Sequence, residues 1–144
     1  AFESMIASMV ALAVFLPLVS GEGGNAGSQT ATIIVRGIAL GEVSIADWKR
    51  ALSKEVRVSL ANGALIGLGT GIVAYLWKGD WRISFGIQLA MILNFLMAAT
   101  TGVLIPLGLK KINVDPALAS AAFVTGFTDT FGFLFFLAIV SLLV

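Results

Sequence analysis

The sequence predicts an all-α, polytopic helical membrane bundle with four transmembrane helices in this chain. Three observations carry that prediction. Of the 144 residues, 58% are hydrophobic and only 12% are charged, about half the ~25% charged residues of an ordinary soluble domain. The mean hydropathy is +1.01. Three apolar stretches approach or exceed the ~20 residues needed to span a ~30 Å hydrocarbon core, and a fourth, at the N-terminal end, is apolar on both flanks with a polar middle.

The first helix is expected over residues 5–39. It opens on MIASMVALAVFLPLV and closes on ATIIV, but between them stands SGEGGNAGSQT, with four glycines and Glu22, Asn25, Ser28 and Gln29. An unbroken helix from Met5 to Arg36 is roughly 48 Å long at 1.5 Å per residue, longer than the bilayer core by about half. Such a segment must tilt, bend or break, and Gly21, Gly23, Gly24 and Gly27, with Pro17 nearby, are the expected place.

The second helix is expected over residues 48–77, the third over 83–109 and the fourth over 117–143. GEVSIADWKR, KGDWR and KKINVDP separate the four. Ser44 with Asp47 fits an N-cap and its capping-box acid, and Pro116 after Asp115 fits a proline in the first turn of a helix. Gly63, Gly67 and Gly71 recur at spacing four in the second span, a small-residue face that lets helices approach closely. Ala90, Asn94, Ala98 and Gly102 repeat the idea in the third, where Asn94 reads as a polar tie between helices, with a pore role as the alternative. Glu55, beside Lys54 and Arg57, reads as a surface or interfacial ion pair. Trp48, Trp77 and Trp81 fall at the expected membrane interfaces.

Charge sets an expected orientation. Arg36, Lys49, Arg50, Lys54, Arg57, Lys110 and Lys111 lie in or beside the first and third connections, against only Lys78 and Arg82 in the second. The excess places the first and third connections in the cytoplasm and both ends of the chain outside it. A start at Ala1 without Met points to a fragment or a processed chain, and a cytoplasmic N-terminal region would require another span upstream of Phe2.

The missing residue types exclude much chemistry. With no cysteine and no histidine, there is no disulfide framework, no thiolate or imidazole metal site and no Ser-His or Cys-His nucleophile. The chain is not expected to be an enzyme. A net charge of +1 without a basic block argues against a nucleic-acid partner, and the N-terminus has no signal-peptide pattern.

What remains is a small set of buried oxygens. Asp129 lies in TGFTDTFGF, inside an otherwise apolar helix, where a carboxylate costs about 2.5–3.5 kcal/mol on insertion scales. Its helical neighbours Ala122, Thr125, Gly126 and Gly132 are small or hydroxylated, while FLFF at 133–136 suits lipid. Asn25 lies eleven residues before Arg36 and Asp129 twelve beyond Ala117, which puts both at roughly 16–18 Å from the cytoplasmic side. Carboxylate, amide, hydroxyl and freed carbonyl oxygens are hard donors that favour Mg²⁺, Ca²⁺ or Mn²⁺. One carboxylate makes a weak cage, and two copies of Asp129 across a two-fold axis make a better one. Glu22 is either a second acidic group that attracts cations or a residue exposed at the pore mouth.

These residues resemble a known family. FLPLVSGEGGNAGSQTATIIVRGIALGE is similar to the second transmembrane helix of MgtE-type magnesium channels and transporters, with its proline and GGN-x-G-x-Q core. DPALASAAFVTGFTDTFGFLFFLAIVSLL resembles the family's last transmembrane helix, and DWKRALSKEVRVSLANG and IPLGLKK also read as family segments. The resemblance covers essentially the whole chain. It implies a homodimer with five transmembrane helices per subunit and a pore on the dimer axis. Residues 1–144 then form a single transmembrane pore domain, without the first helix and the cytoplasmic regulatory domains. By the same resemblance Asp129 binds hydrated Mg²⁺, and Asn25, Ser28 and Thr32 form the polar face of the pore-lining helix. Together with the reading of the residues above, Asp129 and Asn25 are the expected metal ligands, and Ser28, Thr32, Thr125, Gly126, Gly132 and Glu22 are expected to line the pore. Glu22, Ser28, Ala121 and Ala122 depart from residues seen in some members. The implied setting is a bacterial or archaeal plasma membrane, with lipid and a second copy of the chain as partners.

The expected function is therefore magnesium transport, with Mg²⁺ as the cargo. Two alternatives stand beside it: a broader divalent-cation or exchange-coupled transporter for Mn²⁺ or Co²⁺, and a noncatalytic membrane scaffold whose buried polar groups only pack helices.

Overall fold

A computed structural model describes residues 10 and 12–143, and the expected start of the first helix before residue 10 lies outside them. The described residues form four long helices: α1 (Leu16–Ala39), α2 (Trp48–Lys78), α3 (Trp81–Lys111) and α4 (Pro116–Leu143), with a 3-10 turn at Ile45–Asp47 before α2.

Helix α1 corrects one expectation. It runs unbroken through the glycine-rich stretch, and the interruption falls upstream, in the turn at Val14 and Phe15. Pro17 sits in the first turn of α1, where a missing N–H costs no helical hydrogen bond. The glycines do not break the helix, because the stretch keeps helical hydrogen bonding throughout. No carbonyls are freed there to serve as ligands.

The connections follow from local chemistry. Gly41 takes a left-handed conformation (φ 73°) after α1, and the Glu42 N–H donates to Gly37 O at 2.9 Å. The Asp47 carboxylate accepts from the Ser44 N–H at 2.9 Å and the Ser44 hydroxyl at 2.6 Å. Gly79 (φ 71°) ends α2 with its N–H on Tyr75 O at 2.7 Å, a helix stop that a side chain would strain. The Asp80 carboxylate accepts from the Arg82 N–H at 2.8 Å and opens α3. Asp115 does the same for α4 through the Ala117 N–H at 2.9 Å.

Helix α3 is the centre of the bundle and packs against α1, α2 and α4, while α1 and α4 also pack on each other. Ile87, Ala90, Met91, Asn94, Ala98 and Val103 of α3 are fully buried, as suits a helix that is apolar all round. Two apolar clusters form. Phe15, Val19, Ile87, Met91, Phe136 and Val140 belong to one; Ile34, Val103 and Leu107 make the other.

Among the described residues, three helices are long and apolar enough to cross a membrane: Ile45–Lys78, Trp81–Lys111 and Ser120–Leu143. At 24 residues, α1 is about 36 Å long but more polar. Large apolar side chains such as Leu65, Leu76 and Leu118 point outward, an arrangement that water disfavours and lipid accepts.

The α2–α3 contact is a glycine contact. A Cβ at Gly67 would lie 3.1 Å from Gln88 O and 3.2 Å from Met91 Cβ, and Gly63 and Gly71 face Ile92 and Ser84 just as closely. Gly69, on the same helix, has open space around it. Gly67→Leu is therefore expected to cost ~1–3 kcal/mol by overpacking, while Gly69→Leu leaves stability unchanged or slightly raised. Thermal unfolding of the two variants in detergent checks the contrast.

Candidate functional site

The site forms where α1 and α4 cross, and glycines permit the crossing. A Cβ at Gly24 would lie 3.6 Å from Thr128 Oγ1, 3.8 Å from Thr125 Cγ2 and 3.9 Å from Asp129 Oδ1; one at Gly27 would collide with Val124 at 2.5 Å. With the backbones this close, the Ser20 hydroxyl donates to Asp129 Oδ1. Ser20 is buried and Asp129 half-buried, so the carboxylate is tied to α1 on one side and open on the other.

Further along α1, Asn25, Ser28 and Thr32 follow one another at helical spacings of three and four. Ser28 Oγ lies 3.5 Å from Thr125 Oγ1. The Thr32 hydroxyl donates to Ser28 O at 2.8 Å, so its lone pairs remain free as acceptors. Asn25, Thr32, Thr125 and Gly126 are exposed. Thr128 points inward and donates to Val124 O and Thr125 O at 3.0 Å. Near their contact α1 and α4 thus carry one carboxylate, one amide and several hydroxyls, with no base paired to Asp129 among the described residues.

Other expected pore residues lie elsewhere. Gly132 is buried, and its missing side chain makes room for Asn94, whose Nδ2 would be 2.7 Å from a Cβ there. Glu22 is half-buried and lies two residues, about 200° around the helix, from Ser20. Among the described residues there is no group of three or more acidic or imidazole side chains able to hold a metal. A bare, fully dehydrated ion has no cage here. An ion that keeps its water shell needs only acceptors, because bound waters donate outward.

One residue that matters to this geometry was hidden in the sequence, and another, Asn94, is the polar tie between helices that the sequence suggested. Ser20 looked like one polar residue among many, yet Ser20–Gly24 and Gly23–Gly27 are small pairs four apart, the signal that this face meets another helix. Asn94 is fully buried, donates through Nδ2 to Val19 O at 2.8 Å, and leaves its Oδ1 without a partner among the described residues. It wedges between Gly23 and Gly132, so it spaces the two helices that carry Ser20 and Asp129.

A divalent cation transporter model, that of MgtE, matches residues 16–139. The chain belongs to the MgtE family. It is 32% identical over 140 residues to the magnesium transporter MgtE of Bacillus subtilis, covering 97% of this chain and 31% of that protein. It is 34% identical to the magnesium transporter MgtE of Enterococcus faecalis (98% of this chain, 31% of that one). With the Thermus thermophilus MgtE the identity is 33%, over 99% of this chain and 31% of the relative. The chain thus spans under a third of the length of these MgtE relatives. The matched region takes in all of α1–α3 and α4 as far as Ile139, including every residue named at the α1–α4 contact.

The Asn94 wedge has a direct test. A Cβ at Gly23 would lie 2.1 Å from Asn94 Nδ2, so Gly23→Ala is expected to cost ~1–3 kcal/mol. In an Asn94→Ala background the same change finds space, and its cost should fall close to zero, a non-additivity that reports direct contact. Thermal unfolding of the two single variants and the double variant measures it.

Proposed function

We propose that this chain is the pore-forming part of a magnesium transporter, with the α1–α4 contact as one half of a path for hydrated Mg²⁺. The observation that carries the reading is Asp129, a half-buried carboxylate in a lipid-length helix, fixed by Ser20 and open beside a row of neutral oxygens. Membership of a divalent cation transporter family and relatives named magnesium transporters support it.

In this reading all four helices cross the membrane and a second copy faces the first across a two-fold axis. Two Asp129 carboxylates then match the charge of one Mg²⁺. Mg²⁺ gives up water reluctantly, so the site holds the ion through its waters: carboxylate oxygens accept the strongest hydrogen bonds, and Asn25, Ser28, Thr32 and Thr125 extend the row. Weak, multiple contacts let the ion leave again. A divalent ion gains about 4.6 kcal/mol per 100 mV of membrane potential, enough to drive inward flow without a chemical energy source. Both chain ends face outward, and the first helix and cytoplasmic domains of the intact protein complete and regulate the pore.

Flux of Mg²⁺ into proteoliposomes containing the intact protein tests this. Asp129→Ala and Asp129→Asn should abolish saturable flux, and Ser20→Ala should raise the half-saturating Mg²⁺ concentration about tenfold, the scale of one hydrogen bond to a charged group. Equal flux in all four proteins overturns the reading and favours a scaffold. Competition by Mn²⁺, Co²⁺ and Ca²⁺ sets how selective the path is.

A further inference from the structure

We propose that Glu55 is a positioning residue for the pore: through Thr30 it fixes the rotation of α1 that turns Asn25, Ser28 and Thr32 toward the ion path. The inference rests on the pore reading above and names a residue from a different helix that sets its geometry.

Glu55 makes the ion pair with Lys54 that its basic neighbours suggest, but it is not a surface residue. It is 6% exposed, and Lys54, 3.9 Å away, is itself largely in the open. Arg57 turns back to donate to Ser53 O of its own helix at 3.1 Å. The bond that Glu55 makes inside the bundle comes from α1, where the Thr30 hydroxyl donates to Glu55 Oε2 at 3.3 Å. A carboxylate placed there is costly, whereas an apolar side chain would fill the same contact without that cost. What a carboxylate supplies and a hydrocarbon does not is a directional acceptor.

A second observation makes the same seat specific. Thr30 rests over Gly102 of α3, where an added Cβ would lie 2.8 Å from Thr30 Cβ and Cγ2 and 2.9 Å from Gly27 O. Thr30 is thus received by a glycine on α3 and an acceptor on α2, and it is 5% exposed.

Helical geometry converts this seat into an orientation. Ser28 and Thr32 are each two residues from Thr30, about 200° around the helix, and Asn25 is about 140° away. Fixing Thr30 inward therefore directs all three outward. Ser20 at one end of α1 and Thr30 ten residues later each donate to a carboxylate on a different helix. The helix is thereby held against rotation at two levels about 15 Å apart.

The chain contains no cysteine, so within it each introduced thiol is unique. Thr32→Cys and Ile33→Cys place a thiol on the polar row and about 100° from it. Their reaction rates with a membrane-impermeant cationic methanethiosulfonate are read in the intact protein in proteoliposomes. Thr32→Cys should react faster. In a Glu55→Ala or a nearly isosteric Thr30→Val background the rate ratio should fall about tenfold. In Glu55→Gln, whose amide oxygen still accepts from Thr30, it should persist. An unchanged ratio in Glu55→Ala and Thr30→Val, or a Glu55→Gln ratio as low as that of Glu55→Ala, overturns the assignment. If Thr32→Cys fails to react in the unaltered background, both this assignment and the pore reading fall together.

Discussion

A carboxylate inside a lipid-length bundle needs a donor, and the donor can come only from another backbone that approaches closely enough. The hydrogen bond from Ser20 to Asp129 is that interaction, and the glycine contacts of α1 make it possible. Gly24 and Gly27 bring α1 onto α4, and Gly23 admits Asn94 between them. A larger residue at these positions would push the helices apart and leave Asp129 without its partner, a penalty that falls on the charged form. Glycine here serves close approach, and its conformational freedom is unused.

The polar groups of the interior share a pattern. Asn94 donates to a carbonyl of α1, Thr30 to a carboxylate on α2, and Ser84 to Gly71 O across the α2–α3 contact at 2.7 Å. Each tie joins two helices at a fixed register. Dispersion contacts alone permit neighbouring helices to slide or rotate, because lipid offers nearly the same apolar environment as a helix face. Directional bonds select one arrangement. In α1 their combined effect is to face the hydroxyl and amide row outward while its glycine and serine face stays packed.

Local signals at the chain's punctuation were legible from the sequence because neighbouring residues supply both partners. Asp47 with Ser44, Asp80 before α3 and Asp115 before α4 satisfy N–H groups within three residues of themselves. The glycine stretch was misread as a break in the helix, because the composition of SGEGGNAG shows flexibility without showing what packs on it. The ion pair of Glu55 with its sequence neighbour Lys54 was legible for the same local reason as those caps, whereas its second partner, Thr30, is 25 residues away and was not. Ser20 and Gly132 likewise took their places from contacts between helices.

The sequence by itself determined the helical character, the suitability of its apolar stretches for a bilayer, the family and the presence of one unusual intramembrane carboxylate. These depend on composition and short-range order, which a linear chain carries in full. Only the tertiary structure decided that α1 runs unbroken, that Asp129 is met by Ser20, and that Asn94 of α3 and Glu55 of α2 are the hydrogen-bond partners of α1. Those facts depend on which faces of separate helices come together, and that is settled by packing over distances the sequence does not encode locally.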